Sequence, residues 1–357
     1  MTSSAPESAP TQTNPKPERW RRLAANLGLL AAVSVICLLL MEVAVRWLFP
    51  FYSPAGQMDF CVTNGVALGP AGRTFHHSNT KGDYSVEVKF NAYGLRDAKD
   101  IKTAKPDDWF AWGDSYTMGW GVEEPQRFAD LLQQQMQSNG NPARVFNMAI
   151  PENLVGYARM TKYVEGLGVK MQHVVLGVCM ENDLWDYTTE KGFWDDLAKQ
   201  RRGSLRSWLK MHSALYTTCS HLLQSSSFSR ELMERIGFAH KSEELAGYNT
   251  GSEVALRTSR DKLLQLIAGR DVIVLIIPSR RLWSPESKAL ETHVHETFVK
   301  SLRDAGVNVV DVRAALEEGG DPLRYYFKAD PHWNAQGHAL AARELFKAVA
   351  ARNPPAR

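Results

Sequence analysis

Three short polar segments of this chain contain side chains suited to nucleophilic catalysis. They are Gly113-Asp114-Ser115, Glu181-Asn182-Asp183 and Asp330-Pro331-His332. A serine hydroxyl is a weak nucleophile unless a histidine accepts its proton and an acid orients that histidine. The segments supply these residue types, so we predict Ser115 as nucleophile, His332 as base and Asp330 as the orienting acid.

An alternation of apolar runs and amphipathic stretches supplies the elements that must position these segments. The runs predict five strands, over residues 109–112, 145–148, 173–178, 272–277 and 307–310. They are apolar on both faces, as parallel strands covered by helices must be. We therefore expect a three-layer α/β/α domain over residues 107–352. Each polar segment follows one of these strands, and ligands bind at the carboxyl ends of such strands.

Taken in order, the polar segments resemble the sequence blocks of the SGNH (GDSL-type) hydrolase family. Gly113-Asp114-Ser115 is similar to the first block, Asn182 to the third, and Asp330 and His332 to the last. The short Asp-x-His-Trp form of the last block resembles that of SGNH-like alginate O-acetylation proteins. The resemblance covers roughly residues 108–350 and implies a flavodoxin-like fold. It also implies acyl transfer through a serine ester, without a metal or another cofactor.

The same resemblance implies which groups would bind the oxyanion. They are the backbone N–H of Ser115, the side chain of Asn182 and the backbone N–H of Glu152. The family usually has glycine where this chain has Glu152. A carboxylate close to a developing oxyanion is unfavourable unless it points away. Glu152 therefore favours one alternative, a catalytically reduced module that binds glycan or assists an acyltransferase.

The N-terminal region contains an apolar segment long enough to cross a membrane as a helix. Leu23 to Met41 carries no charge, and Arg19, Arg21 and Arg22 precede it. Positive charge before the helix favours a cytoplasmic N-terminus. We predict a disordered cytoplasmic tail over residues 1–22 and an uncleaved anchor over 23–49. The rest of the chain would then lie outside the inner membrane, in the periplasm or at the cell surface. A cleaved signal peptide is the alternative.

Two further regions lie outside the predicted strands and helices of the domain. Residues 50–106 read as a connector with β character, including an alternating strand over 84–90. Residues 187–250 read as a helical insertion between the third and fourth strands. This insertion would cap the site, lie near the membrane surface or only cover the sheet.

Composition and the chemistry above together predict the function. The net charge is +3, and no concentrated basic stripe points to nucleic acid. We expect a membrane-anchored serine esterase acting on acylated carbohydrate outside the cytoplasm. A polysaccharide O-acetyltransferase uses the same acyl-enzyme, and a membrane-bound acyltransferase would then be a partner. A lipase or thioesterase is a further alternative, because the anchor keeps the site near acyl chains. The residues that bind the substrate are not predicted.

Overall fold

A five-stranded parallel sheet forms the centre of the chain. The computed structural model describes residues 16–48, 60–63, 65–79, 81–195, 205–225 and 252–352. The strands are β1 (Cys61–Thr63), β2 (Val66–Leu68), β3 (Thr74–Ser78), β4 (Ser85–Lys89), β5 (Trp109–Trp112), β6 (Val145–Asn147), β7 (His173–Cys179), β8 (Asp271–Ile277) and β9 (Asn308–Asp311). The sheet order is β6-β5-β7-β8-β9, with every pair parallel. This is the flavodoxin-like order, so the predicted fold class is confirmed.

The described part of the chain forms ten α-helices. They are α1 (Lys16–Leu48), α2 (Ser115–Met118), α3 (Phe128–Ser138), α4 (Leu154–Gly166), α5 (Leu205–His212), α6 (Ala214–Ser225), α7 (Glu253–Ile267), α8 (Lys288–Asp304), α9 (Arg313–Glu317) and α10 (Ala335–Arg352). Side chains of α3 and α10 pack on one face, and those of α4, α7 and α8 pack on the other. Alternate residues of each strand enter the two cores, which explains why the strands are apolar throughout.

Capping side chains determine where the helices near the sheet edge begin. Asp114 accepts a hydrogen bond from the backbone N–H of Tyr116 at the start of α2. Asn153 accepts hydrogen bonds from the N–H groups of Val155 and Gly156 at the start of α4. Such caps satisfy donors that have no partner inside the helix. The helix α2 therefore begins three residues after the end of β5, and α4 begins seven residues after the end of β6.

The predicted connector packs into the same core as the domain that follows it. It forms two antiparallel hairpins, β1-β2 and β3-β4. Arg96, which is 1% exposed, donates to the carbonyl groups of Met118, Gly119 and Val122 in the loop after α2. Burial lowers the pKa of Arg96 to about 9. Buried guanidinium donors require acceptors, so these bonds fasten the connector to the segment that carries Ser115.

The N-terminal helix α1 is longer than the predicted anchor. Its segment Arg19–Leu48 is long and apolar enough to cross a membrane, and no residue of its most apolar 18-residue window is buried. Residues 16–22, which the sequence assigns to the disordered tail, are helical. A helix that has nucleated in an apolar segment extends at little cost through Lys, Glu and Arg. Residues 1–15 and 49–59 lie outside the described part of the chain.

Two helices of the predicted insertion contact the C-terminal end of α1. Glu42 accepts hydrogen bonds from the Ser213 hydroxyl and from the N–H groups of Ala214 and Leu215, at the start of α6. Arg46 pairs with Glu42 and donates to the carbonyl of His212. Residues 196–204 and 226–251 of the same region are outside the described residues. The described helices therefore attach to the end of the apolar helix.

Candidate active site

Ser115 lies at a tight turn between the first strand of the sheet and a short helix. The strand β5 ends at Trp112, and Gly113 follows with a φ of 151°. A Cβ atom at Gly113 would lie 2.1 Å from Thr117 Oγ1, so only glycine fits this turn. Ser115 then begins α2 and is nearly buried. The turn places its side chain at the carboxyl edge of the sheet.

The structure brings the three predicted residues into one continuous chain of hydrogen bonds. Ser115 Oγ lies 2.7 Å from His332 Nε2. His332 Nδ1 lies 2.5 Å from Asp330 Oδ1, which also accepts the backbone N–H of His332 at 3.0 Å. With a proton on Nδ1, Nε2 is free to accept the serine proton. This is the geometry that an activated serine requires.

A tyrosine from the connector supports the far side of Asp330. Tyr84 donates its hydroxyl to Asp330 Oδ2 at 3.1 Å and accepts the indole N–H of Trp120 at 2.7 Å. Burial by itself raises the pKa of Asp330. The hydrogen bonds from His332 and Tyr84 and the nearby His332 charge outweigh burial, so the pKa lies below its usual value. Asp330 is therefore ionised and has its two oxygens oriented.

Aromatic rings hold the imidazole of His332 from two sides. The ring of Trp120 stacks on it with centroids 5.5 Å apart, and the ring of Tyr116 lies 4.7 Å away. Tyr116 also donates its hydroxyl to the carbonyl of Pro331 at 2.6 Å. These contacts restrict rotation of the imidazole, so the base stays aligned with Ser115.

Two of the groups expected to bind the oxyanion are the backbone N–H of Ser115 and the side-chain amide of Asn182, and each has a hydrogen left to donate. The N–H of Ser115 is the first of its helix and has no acceptor within that helix. Asn182 Nδ2 donates one hydrogen to Asp114 Oδ2 at 3.0 Å, which orients the amide and leaves its second hydrogen. Burial raises the pKa of Asp114. Asp114 and Asp183 both organise loops, since Asp183 accepts the Tyr157 hydroxyl and the Cys179 N–H.

Glu152 is 5% exposed, and its carboxyl group is engaged by the backbone. Its Oε2 accepts the N–H of Phe193 at 2.9 Å and that of Asn153 at 3.2 Å. Burial raises the pKa of Glu152 to about 7, although these hydrogen bonds oppose the rise. A Cβ atom at position 156 would lie 2.4 Å from the Glu152 carboxyl. Glycine at this position therefore leaves space for the carboxyl group. The carboxyl group therefore has a structural partner at the start of the predicted insertion, the backbone N–H of Phe193.

A cavity of about 370 Å³ opens above the serine. Its polar lining comes from Ser115, His332, Asn182, Asn153 and Glu152. The other lining residues are Pro151 and the aromatic residues Phe60, Trp120, Phe193 and Trp194. The indole N–H of Trp194 donates to the carbonyl of Pro151 at 2.5 Å, which ties this wall to the segment that carries Glu152. Cavities with apolar walls and a few convergent polar groups are typical of ligand sites.

No sequence motif indicates that Tyr84 or the aromatic wall residues belong to this site. Tyr84 and Asp330 are 246 positions apart, and only the folded connector brings them together. The aromatic wall likewise combines residues from the connector, from the turn after α2 and from the start of the insertion. Within the described residues there is no cluster of three or more potential metal ligands. The arrangement can activate a hydroxyl for attack on a carbonyl and hold the resulting oxyanion.

Comparisons with solved structures give low sequence identities. A lipase/acylhydrolase from Enterococcus faecalis is 13% identical, with 70% of this chain and 99% of that chain covered and a TM-score of 0.41. A lipolytic protein of the G-D-S-L family from Veillonella parvula is 11% identical, with 67% and 96% covered and a TM-score of 0.38. An acetyl xylan esterase, AlAXEase, is 16% identical, with 68% and 99% covered and a TM-score of 0.38. No curated protein matches the sequence.

A family model matches the part of the chain that contains the last sequence block. The match spans residues 241–357, and the family is described as the SGNH hydrolase-like domain of the acetyltransferase AlgX. This span includes Asp330 and His332, whose side chains meet Ser115 of the first block in the folded chain. The resemblance predicted from the sequence blocks is confirmed, because residues 241–357 are similar to the SGNH hydrolase-like domain of that family.

Proposed function

We propose that this chain is a membrane-anchored serine esterase that removes O-acyl groups from carbohydrate outside the cytoplasm. The observation that carries the proposal is the hydrogen-bonded series Ser115, His332 and Asp330 at the wall of a cavity. The hydrolase domain would span residues 107–352. The family description of residues 241–357 supports an ester-acting or acyl-transferring enzyme.

The proposed reaction begins with attack of Ser115 Oγ on the ester carbonyl while His332 Nε2 takes the serine proton. The carbonyl oxygen becomes an oxyanion, held by the N–H of Ser115, the amide of Asn182 and the N–H of Glu152. His332 then gives its proton to the leaving sugar oxygen, and an acyl-serine remains. Water, deprotonated by His332, attacks this ester and releases the acid and the free serine. Asp330 stabilises the imidazolium in both halves of the reaction.

A second candidate, a polysaccharide O-acetyltransferase, shares the first half of this reaction. In that case a sugar hydroxyl replaces water and receives the acyl group from Ser115. The AlgX-type description of the family favours this candidate, and a membrane-bound acyltransferase would then be a suitable acyl source. Mixing an acyl donor with an unacylated oligosaccharide and measuring acylated product against free acid distinguishes transfer from hydrolysis.

The proposal is tested with a fluorophosphonate probe and the full chain in detergent. We expect labelling of the wild type, loss of labelling in Ser115→Ala, and unchanged labelling in Ser138→Ala. Ser138 is the matched control because it is an exposed serine at the end of α3. An unlabelled wild type, or equal labelling of Ser115→Ala, contradicts the esterase proposal and favours a catalytically reduced binding module.

Substrate preference is tested with the same preparation. We expect faster release of acetate from acetylated oligosaccharides than of long acyl chains from lipid esters or thioesters. Rapid turnover of long chains alone would instead identify a lipase or thioesterase.

The membrane anchor is a separate part of the proposal. The basic residues in the first turns of α1 and the attachment of α6 to Glu42 near the end of that helix support a retained anchor with the domain outside the inner membrane. A contact of this kind is lost if the helix is removed. The intact mass of the protein extracted from membranes tests this. A mass that includes residues 23–48 is expected, and a mass without them indicates a cleaved signal peptide.

A further inference from the structure

We propose that α5 and α6 rest on the outer surface of the bilayer that α1 spans, with an exposed apolar face turned towards the lipid. The inference rests on the membrane anchor of the proposed function and adds a second contact with the same membrane. This contact is independent of how Ser115 is activated.

The depth of α6 follows from the length of the apolar helix. Leu23 to Met41 carries no charge. As an α-helix this segment rises about 28 Å, close to the ~30 Å thickness of a bilayer's hydrocarbon core. Glu42 is the first charged residue after it, so Glu42 lies at the outer boundary of the hydrocarbon. The exposed Trp47, slightly more than one turn further on, suits the same interface.

Glu42 fixes the start of α6 at this depth. Its carboxylate accepts the Ser213 hydroxyl at 2.8 Å and the N–H groups of Ala214 and Leu215 at 2.8 Å and 2.9 Å. A carboxylate at the N-terminus of a helix satisfies donors that have no partner inside the helix and interacts favourably with the helix dipole. Because Ser213 alone separates α5 from α6, both helices are held at this boundary.

One side of α6 is apolar and exposed. Leu222 and Leu223 are 58% and 45% exposed, and the exposed Cys219 precedes them by three and four positions. Residues with this spacing share one side of a helix. The buried residues Thr217 and Thr218 lie on another side, where α6 packs against the rest of the chain.

The helix α5 exposes large apolar side chains as well. Leu205 and Trp208 are three positions apart and are 72% and 56% exposed. An indole ring combines an apolar body with a polar N–H, which suits the boundary between headgroups and acyl chains. Residues 201–225 include Arg and Lys residues and no Asp or Glu, a composition that favours anionic headgroups.

A membrane surface is the occupant that this position favours. Helices tied to Glu42 lie next to lipid, because the bilayer surrounds α1 at that depth. Amphipathic helices at such a boundary bury their apolar face about 5–10 Å into the region between headgroups and acyl chains. Contact through α5 and α6 would therefore restrict tilting of this helix pair about the end of α1.

Short connections extend this restraint to the cavity above Ser115. Trp194 lies eleven positions before Leu205, and Phe60 lies twelve positions after Leu48. The rings of Phe60 and Trp194 are 5.6 Å apart in the cavity wall. Chain segments of these lengths span at most about 40 Å, so the cavity stays within about that distance of the membrane surface.

Cys219 is a native position for a reporter on this face. The full chain is prepared with Cys37→Ser and Cys61→Ser, labelled with the fluorophore NBD at Cys219, and reconstituted into vesicles of phosphatidylcholine and phosphatidylglycerol. Cys179 is buried and does not compete for the label. We expect blue-shifted emission and protection from iodide. Nitroxide-labelled lipid should remove at least about half of the emission, since label and quencher then lie within about 10 Å.

Two controls identify the surface responsible. With Cys219→Ser added, Ser138→Cys places the label at an exposed position of α3, where emission should stay water-like and nitroxide lipid should have little effect. Leu222→Asp places a charge on the apolar face and should weaken the nitroxide quenching of the Cys219 label at least about twofold, because charge is costly near hydrocarbon. Val254→Asp, at an exposed position of α7, should leave that quenching unchanged.

The outcomes bear on different claims. Water-like emission that iodide quenches, in a chain whose mass still includes residues 23–48, overturns the inference while the anchor proposal stands. A label protected from iodide but insensitive to nitroxide lipid means that a second copy of the chain covers the face, which also overturns it. Full quenching in Leu222→Asp removes the apolar face as the cause and overturns it too. A mass without residues 23–48 refutes the anchor, and the inference with it.

Discussion

The buried carboxyl group of Glu152 should make the stability of the folded chain fall as the pH rises. Its pKa is raised from an ordinary 4.5 to about 7 by burial. Between these values the folded state holds a proton that the unfolded state has lost, so stability decreases with pH in this window. At about 1.36 kcal/mol per pH unit, the carboxyl group costs the folded state about 3 kcal/mol above pH 7. Below pH 4.5 both states are protonated and the cost disappears.

The substitution Glu152→Gln isolates this contribution, because glutamine does not titrate. We expect the free energy of unfolding of the variant, relative to wild type, to rise by about 3 kcal/mol between pH 4.5 and pH 8. Denaturant unfolding of the full chain in detergent, followed by tryptophan fluorescence at several pH values, measures the difference. A buried acid that Glu152 does not perturb, such as Asp114, contributes to both proteins and cancels.

The control for this measurement is Glu190→Gln, which replaces an exposed glutamate. Its stability relative to wild type should stay nearly constant over the same pH range. A flat difference between wild type and Glu152→Gln would refute the reasoning, since it would mean that Glu152 titrates alike in the folded and unfolded chains. A difference of the opposite sign would mean that the hydrogen bonds to Phe193 and Asn153 outweigh burial.

Further predictions concern the hydrogen bonds around the serine. Asp330→Asn should lower kcat by about ten-thousandfold, because the imidazole loses the partner that sets its tautomer; a loss below tenfold contradicts this role. Asn182→Ala should lower kcat by about a hundred- to a thousandfold with little change in KM, as loss of an oxyanion donor does. A rise in KM alone would assign Asn182 to ground-state binding. Tyr84→Phe leaves the indole N–H of Trp120 without its acceptor, so unfolding should become easier by about 1–3 kcal/mol. Activity should then fall towards low pH, since the pKa of Asp330 rises when one donor is lost. An unchanged pH profile would limit Tyr84 to a structural role.

Local patterns in the sequence were sufficient for the sheet and for the expectation that Ser115, His332 and Asp330 meet. The strands were predictable because a parallel strand is buried on both faces and therefore reads as an unbroken apolar run. Ser115 and Asn182 were expected at one edge because they follow β5 and β7 within three residues, and the carboxyl ends of adjacent parallel strands meet there. The approach of His332 Nε2 to 2.7 Å from Ser115 Oγ depends on the path of the chain after α9. The presence of an apolar N-terminal helix was also evident, although its start at Lys16 was not.

Only the tertiary structure shows which side chains hydrogen-bond to the site residues and which groups surround them. Tyr84 reaches Asp330 because the β3-β4 hairpin folds back on the domain, a contact between distant segments that no local pattern encodes. The environment of Glu152 was likewise open, since a glutamate in place of glycine predicts a carboxylate near the oxyanion but not its partners. In the folded chain the backbone N–H of Phe193 supplies one partner, and burial supplies the raised pKa. Sequence spacing therefore determined which groups meet at the sheet edge. Burial and long-range contacts determined their charge, orientation and surroundings, because these depend on every segment that packs around them.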